Sequence, residues 1–260
     1  MKEPRKRRQI EREFGVPFSG EILDKSQWSQ TALKKLPEQG PLDLAALFGR
    51  PAPLVVDLGC GNGRFLLQSA VWRPALDHLG IDVKPVVIRY ATRRGNQRGL
   101  TNLRFAVVDG ERLLRDLLSP GCAAEVHCYH PQPYYDPTQA HRRLLTPDFL
   151  ALVHRTLVPG GEFFVQTDNP GYWRYLREVI PPFFDFHERI GRWPDAPKGR
   201  TRREILALRR GLPIYRGSGK ARQGIDTDQM RRLAEALPPP VFDADRKLRQ
   251  LDEDELEGAP

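Results

Sequence analysis

The sequence predicts a Rossmann-like α/β fold in which a seven-stranded mixed sheet carries helices on both faces. A short apolar run at residues 54–57 is followed by three closely spaced glycines and the start of an amphipathic helix. Strand-like and helix-like segments then alternate along the chain, which is typical of a doubly wound sheet. Aspartates also stand at four predicted strand ends, the edge at which open α/β sheets bind ligands. They are Asp57, Asp82, Asp109 and Asp168.

The elements of the first half are bounded by glycine and proline, which end helices and begin turns. The strand at 54–57 is continuously apolar up to its aspartate, as a buried parallel strand requires. The next strands follow a similar pattern, and the helix after the second strand is basic. Predicted helices are 42–48, 86–98 and 111–118, which end at Gly49, Gly99 and Pro120, and the further strands are 78–83 and 103–109.

The second half continues the alternation with shorter spacings. Thr146 precedes an apolar segment of helical periodicity and is the predicted N-cap of that helix. Gly160 and Gly161 then turn the chain into the fifth strand. The predicted strands are 125–130, 162–167, 183–190 and 212–216; the helices are 147–157, 171–180 and 227–237, the last capped by Thr227 or Asp228 and ended by three prolines.

Length and charge indicate one domain with appendages. The 260 residues include 41 Lys and Arg against 33 Asp and Glu, a net charge of +8, which favours a polyanionic partner or a solvated cationic surface. Residues 1–14 are charge-dense and form a predicted disordered basic arm. The domain is predicted to cover residues 15–216, and residues 217–260 form a C-terminal extension that we expect to lie outside the main fold.

Several classes of protein are disfavoured by composition. Three cysteines without ligand spacing argue against a disulfide framework and against a zinc site, so we expect no metal. No apolar run approaches the roughly 20 residues that span a bilayer, and the N-terminus has no apolar leader segment, so we expect no membrane association. The cytoplasm is the expected compartment, and both a monomer and a homodimer stay open.

The strand-end carboxylates predict the ligand. Asp57 could meet an ammonium or sulfonium group beside the glycines, whose backbone N–H groups can approach a ligand at a helix N-terminus. Asp82 follows Gly63 by nineteen positions, the offset at which a carboxylate binds both ribose hydroxyls of an adenosine. Asp109 could meet the adenine amino group, although Asp-Gly is also an ordinary turn. Together they predict S-adenosylmethionine, bound by Asp57, Gly59, Gly61, Asp82, Asn102 and Asp109.

The motifs carry a family resemblance. The pattern D-x-G-x-G-x-G resembles motif I of the class I S-adenosylmethionine-dependent methyltransferases. With the loop at 126–143, VHCYHPQPYYDPTQAHRR, and with TPDFL, PGG and T-D after it, the chain resembles the bacterial tRNA (guanine-N7-)-methyltransferases over about residues 15–216. The resemblance implies methyl transfer to N7 of a guanine in tRNA.

The substrate loop departs from that family at its centre. Gln132 stands in the place of the family's catalytic aspartate, and His130 in the place of a phenylalanine. Guanine N7 has a free lone pair, so catalysis is mainly positioning and accommodation of positive charge. A neutral glutamine accepts weaker hydrogen bonds than a carboxylate. Asp136 of the same loop, unless it is only a turn residue before proline, or Asp168 could take over this role.

The resemblance also implies the residues nearest the acceptor. Arg142 and Arg143 could bind phosphates, or could cap a helix or remain solvated. Thr201 and Glu204 have the spacing of a helix capping box, which is compatible with a substrate contact, and Arg203 stands at an aromatic position of that element. Tyr134 could stack on a base. The substrate-binding set is Gln132, Tyr134, Arg142, Arg143, Asp168, Thr201 and Glu204.

Other functions remain open on the sequence. The altered loop could admit another RNA, a protein or a small molecule as the methyl acceptor. A cofactor-binding RNA-binding protein with lost or weak catalysis is a second alternative, for which Gln132 is the main argument. A nicotinamide dehydrogenase is disfavoured, because Arg64 occupies the place of the last glycine of a dinucleotide fingerprint.

Overall fold

The computed structural model describes residues 10–257. Its strands are β1 (Arg12–Glu13), β2 (Val16–Pro17), β3 (Leu54–Leu58), β4 (Asp77–Asp82), β5 (Leu103–Val107), β6 (Ala123–Tyr129), β7 (Leu157–Thr167), β8 (Phe184–Glu188) and β9 (Tyr215–Ala221). Its helices are α1 (Leu44–Phe48), α2 (Arg64–Trp72), α3 (Pro85–Gln97), α4 (Gly110–Arg112), α5 (Pro147–Thr156), α6 (Pro170–Val179), α7 (Arg202–Arg209), α8 (Thr227–Ala236) and α9 (Arg249–Glu257).

The predicted seven-stranded mixed sheet is confirmed. Its order within the described residues is β5-β4-β3-β6-β7-β9-β8. The first five strands of that order run parallel, while β9 is antiparallel to both β7 and β8. The chain order reverses on either side of β3, whose neighbours are β4 and β6. This switch point is where ligands bind in such sheets.

Strand β3 lies at the centre of the molecule and has all five residues buried. Its side chains alternate between the two faces of the sheet, as the period of a strand requires. Val55 packs in a core layer with residues of α2 and α3. Leu54, Val56 and Leu58 pack in a second layer with residues of α5 and α6. Helices therefore cover both faces and fix the carboxyl end of β3.

Helix caps follow local sequence rules in most places. Thr146 Oγ1 accepts a hydrogen bond from the Phe149 N–H at 3.1 Å, as predicted for α5. The cap of α8 is Asp226, in a reciprocal capping box with Gln229, and not Thr227 or Asp228. The third predicted helix is α only at Gly110–Arg112 and continues as a π-helix over Leu113–Leu117.

The N-terminal segment contradicts the predicted arm in part. Residues 1–9 lie outside the described residues; Arg12 and Glu13 form β1 of the β1–β2 hairpin. Glu11 pairs with Arg94 at 2.7 Å and with Arg98 at 3.0 Å. Glu13 is buried and pairs with Arg202 at 2.8 Å. The prediction of disorder weighed the basic residues and overlooked these two carboxylates, which find partners on the domain.

The prediction that the chain from residue 217 lies outside the main fold is wrong. Strand β9 continues to Ala221 between β7 and β8. Helix α8 then packs against α5 and buries Met230 and Ala234 in the core. Helix α9 packs against α7, with Leu251 only 1% exposed. Apolar residues at helical spacing therefore attach this segment to the domain.

Asn102 also departs from its predicted role as a cofactor ligand. It precedes β5 and so lies at the amino end of the sheet, opposite the ends of β3 and β4 that carry Asp57 and Asp82. Its side-chain amide donates to the carbonyls of Ala70 at 3.1 Å and Leu76 at 3.0 Å. The side chain therefore joins α2 and the following turn to β5, which is a structural role.

No helix among residues 10–257 has the length and apolar character needed to cross a bilayer. The same residues contain no group of three or more histidine, cysteine or acidic side chains arranged to hold a metal ion.

We expect Asn102→Ala to lower the free energy of unfolding by about 1–3 kcal/mol, because two buried carbonyls lose their donor. Urea unfolding followed by circular dichroism measures this change. Thr101→Ala is the matched control, since Thr101 is exposed and adjacent, and we expect its effect to stay within about 0.5 kcal/mol. Equal midpoints for the two variants would contradict the structural role of the amide.

Candidate active site

A cavity of about 640 Å³ opens at the carboxyl ends of β3, β4 and β6. The glycine-rich turn after β3, the ends of β4 and β5, and the first turns of α3 form one part of its wall. The loop after β6, the start of α7 and one residue of α9 form the other part. Two ligand groups with different chemistry can therefore meet between these walls.

The turn after β3 keeps the cavity open. Gly59 and Gly61 have φ angles of +74° and +53°, a left-handed conformation that favours glycine. A Cβ at either position would meet no atom within 4 Å, so the space above the turn is free for a ligand. The Gly61 N–H donates to Asp82 Oδ2 at 3.1 Å, which ties the turn to the end of β4.

Asp57 faces this cavity from the end of β3. Its side chain is 2% exposed, and within residues 10–257 no hydrogen bond reaches its carboxylate. Burial, followed by the nearby charge of Asp82, raises the pKa of Asp57 to about 8, while Arg200 acts in the opposite direction. A buried carboxylate without a partner favours a ligand that brings a positive charge.

Asp82 and Asp109 complete the set of three carboxylates that the sequence predicted, and both line the same cavity. Asp82 Oδ1 accepts a hydrogen bond from the Lys84 N–H at 2.9 Å. Burial raises the pKa of Asp82 despite its backbone hydrogen bonds. Asp109 is exposed, and its Oδ1 caps α4 by accepting from the Arg112 N–H at 2.8 Å. The structure thus brings Asp57, Asp82 and Asp109 together.

The loop after β6 supplies three of the predicted substrate residues to the cavity wall. Gln132 is exposed there, and no hydrogen bond of its side chain is made within residues 10–257. Tyr134 has a φ of +46°, and the Arg142 guanidinium lies 4.9 Å from the centroid of its ring. An amide, an aromatic face and a cation are therefore presented together on one surface.

Asp168 lies behind this wall and does not line the cavity. His130 Nδ1 is 3.2 Å from its Oδ1, and Arg203 Nε donates to its Oδ2 at 2.8 Å. Burial acts to raise the pKa of Asp168, but His130 and Arg203 outweigh burial and hold that pKa well below its usual range. The direct catalytic contact predicted for Asp168 is therefore not seen, because both neighbours, which do line the cavity, stand in front of it.

Asp136 and Arg143 have structural roles in place of the predicted site roles. Asp136 Oδ1 accepts from the Thr138 N–H at 2.9 Å and begins a 3₁₀ helix, outside the cavity lining. Arg143 is 4% exposed and donates to the carbonyls of Pro133 and Pro240, both at 2.6 Å. It is therefore not placed to bind a phosphate; it joins the substrate loop to the C-terminal segment.

Thr201 caps the start of α7, which is one half of the predicted capping box with Glu204. Thr201 lines the cavity, and its Oγ1 accepts from the Glu204 N–H at 3.0 Å. Glu204 is fully buried, accepts from the Arg200 N–H at 2.7 Å and forms an ion pair with Arg216. Glu204 therefore holds the start of α7 and does not reach the cavity, contrary to its predicted substrate contact.

Several residues that the sequence analysis did not select belong to the site. Glu13 Oε1 accepts from Asn62 of the glycine-rich turn at 2.7 Å and from Arg202 of α7 at 2.8 Å, so the N-terminal hairpin joins the two walls. Asp252 enters the wall from α9 and pairs with Arg203. The T-x-x-E spacing signalled the region of Arg202 and Arg203, whereas no sequence signal indicated Glu13 or Asp252.

The chain matches known proteins in sequence and in structure. A family model described as "Putative methyltransferase" matches residues 51–216. A tRNA (guanine-N(7)-)-methyltransferase of Halorhodospira halophila is 33% identical over 83% of this chain and 95% of its own length.

Two solved structures share the fold. The 16S rRNA methyltransferase KamB has a TM-score of 0.54 at 16% identity and covers 74% of this chain and 98% of its own. A 16S rRNA (adenine-N1)-methyltransferase of Catenulisporales acidiphilia, determined with its cosubstrate S-adenosylmethionine, has a TM-score of 0.50 at 16% identity and covers 74% of this chain and 96% of its own. The sequence match to the Halorhodospira halophila protein, which extends over most of both chains, shows that this chain belongs to the tRNA (guanine-N7-)-methyltransferase family.

Proposed function

We propose that this protein transfers the methyl group of S-adenosylmethionine to N7 of a guanine in tRNA. The observation that carries the proposal is that three strand-end carboxylates face a polar, aromatic and cationic wall across one cavity. Family membership and the names of the relatives support the tRNA substrate. The net charge of +8 is consistent with a polyanionic partner. The cytoplasm, where tRNA is found, is the expected compartment.

The part of the cavity wall formed by the glycine-rich turn, the ends of β4 and β5 and the first turns of α3 is called the cofactor wall here. Its residues fit S-adenosylmethionine. The donor supplies a methyl group on a positively charged sulfur, and it also carries an ammonium group, a ribose and an adenine. Asp57 is buried without a partner and would face a positive group. The open space over Gly59 and Gly61 leaves room for the ligand. Asp82 and Asp109 would accept from the ribose hydroxyls and the adenine amino group.

The other part, formed by the loop after β6, the start of α7 and one residue of α9, is called the substrate wall and would hold the acceptor. Guanine N7 keeps its lone pair at neutral pH, so no residue has to remove a proton before the methyl group is transferred. The chain's contribution is to hold N7 in line with the methyl group, to exclude water and to accommodate the positive charge that develops on the base. The side-chain amide of Gln132 can accept from the base, Tyr134 can stack on it, and Arg142 can meet a phosphate.

One observation favours a different acceptor as the second candidate. His130 and Arg203 both hydrogen-bond to Asp168, so a base at the substrate wall meets an imidazole and a guanidinium in front of that carboxylate. Both ring nitrogens of His130 are engaged, by Asp168 and by Gln166, whereas the positively charged guanidinium suits a base edge that presents acceptors. Methylation of another RNA nucleotide is therefore the alternative, and the same assay distinguishes the two.

Incubation with labelled S-adenosylmethionine and unmodified tRNA transcripts is expected to place the label in 7-methylguanosine, read by nucleoside mass spectrometry. Asp57→Asn is the control, and we expect its methylation rate to fall by at least about tenfold, since a charged contact is lost. Label in a different nucleoside would contradict methylation at guanine N7 and would support the second candidate, methylation of another RNA nucleotide. Absence of turnover together with retained cofactor binding would instead indicate a binding protein.

The affinity for S-adenosylmethionine is expected to rise between pH 6 and pH 8 and to become constant above pH 8. The Asp57 carboxyl, whose pKa is about 8, must lose its proton before it can face a positively charged ligand. Each pH unit below 8 should therefore weaken binding by up to about tenfold. Calorimetry in buffers of different ionisation enthalpy measures the proton that is released.

Asp57→Asn provides the control for this pH dependence. The variant is expected to bind weakly, with no slope between pH 6 and pH 8. It should also differ in stability. Because the pKa of Asp57 is raised on folding, its contribution to stability is complete below about pH 4 and is lost as the pH rises through about 8. The variant should therefore lose less stability than the native protein over this range. An equal binding slope in both proteins would contradict the role given to Asp57.

A further inference from the structure

One wall of the cavity receives a carboxylate from far along the chain. Asp252 lies on α9, outside residues 51–216 that the family model matches. It lines the cavity together with Gln132, His130 and Arg203. The substrate end of the cavity is therefore completed by a segment that the family model does not match.

Helix α9 is held firmly enough to place this side chain. Leu251, the residue before Asp252, is 1% exposed and packs with Leu206 and Ala207 of α7. Asp252 Oδ1 forms an ion pair with Arg203 Nη1. The Asp252 side chain remains 17% exposed and also interacts with Tyr135. A carboxylate has about four lone-pair sites, so the exposed part of the group can still accept from a ligand in the cavity.

The distribution of charge gives Asp252 a distinct position. Among the described residues, the acidic side chains that line the cavity are Asp57, Asp82 and Asp109 at the cofactor wall and Asp252 at the substrate wall. Asp168 lies behind His130 and Arg203, and the side chain of Gln132 is neutral. The substrate wall therefore has one carboxylate at its surface within the described range.

A carboxylate at this wall would stabilise the acceptor base. A guanine presents the N1–H and the N2 amino group on one edge, and a carboxylate can accept from both. The base becomes positively charged on N7 methylation, which a negative group stabilises. Hydrogen bonds to a charged group are about twice as strong as those between neutral groups. A neutral glutamine cannot supply this interaction.

We propose that Asp252 accepts hydrogen bonds from the N1–H and N2 edge of the acceptor guanine, a proposal that rests on the proposed function. Asp252 thereby supplies the carboxylate that position 132 does not provide. Arg203 positions Asp252 by pairing with it, and it also joins Asp252 to Asp168. The departures at Gln132 and Arg203 and the presence of α9 then have one common explanation.

Asp252→Asn tests the proposal in the full-length protein. We expect kcat/KM for tRNA methylation to fall by about 10- to 100-fold, because a charged hydrogen bond to the base is lost. The affinity for S-adenosylhomocysteine should stay unchanged, whereas the thermal unfolding midpoint should fall because the ion pair with Arg203 is lost. Glu253→Gln is the matched control: Glu253 is exposed on the same helix and lies near Arg249, so its kcat/KM should match that of the native protein. An Asp252→Asn variant with native kcat/KM overturns the proposal.

A second variant separates a substrate contact from a structural effect. If Asp252 replaces the carboxylate absent at position 132, adding Gln132→Asp to Asp252→Asn should restore at least about tenfold of the lost kcat/KM. No recovery in the double variant overturns the proposal, because a merely structural defect in α9 would not respond to the loop. A native protein that binds S-adenosylhomocysteine but never methylates guanine N7 overturns the proposed function itself, which is a different result.

Discussion

The structure depends on one buried carboxylate. Asp57 lies one residue before the end of the central strand β3, is 2% exposed and meets no hydrogen-bond donor within the described residues. Burying an unpaired charge costs free energy, so the Asp57 carboxyl stays protonated over much of the neutral range unless a cation binds beside it. The packing of helices on both faces of β3 stabilises the strand and offsets this cost. The free energy of the core thus maintains a site that is poised for a positively charged ligand.

The two walls of the cavity are held by polar contacts between distant segments. Glu13 of the N-terminal hairpin joins Asn62 of the glycine-rich turn to Arg202 of α7. Arg143 joins the substrate loop to the carbonyl of Pro240. Segments that flank the sheet in sequence are therefore the clamps of the site. This arrangement explains why the segments before residue 51 and after residue 216 pack on the domain.

Sequence patterns predicted the parts of the site that depend on strand geometry. Asp57, Asp82 and Asp109 stand near the carboxyl ends of adjacent parallel strands. Identifying these strands in the sequence was therefore enough to predict that the three side chains lie at one edge of the sheet. Asn102 precedes its strand, and the same geometry, applied strictly, places it at the opposite edge. Arg142 and Arg143 are neighbours in one loop, yet one is exposed and the other buried. Loop residues have no fixed period, so the sequence could not distinguish them. Asp252 reaches the cavity only through the packing of α9 on α7, a tertiary contact without a local pattern.

The ion pair between Arg203 and Asp252 has a consequence for the order in which the molecule assembles. Its partners are 49 residues apart, and Glu13 and Arg202 are 189 residues apart. Closing such long loops costs chain entropy before any contact repays it, so these contacts form late. The glycine-rich turn and Asp82, by contrast, belong to one strand–helix–strand unit. We therefore expect a folding chain to form the contact between the glycine-rich turn and Asp82 before the contacts of Glu13 and Asp252 that close the opposite side of the cavity.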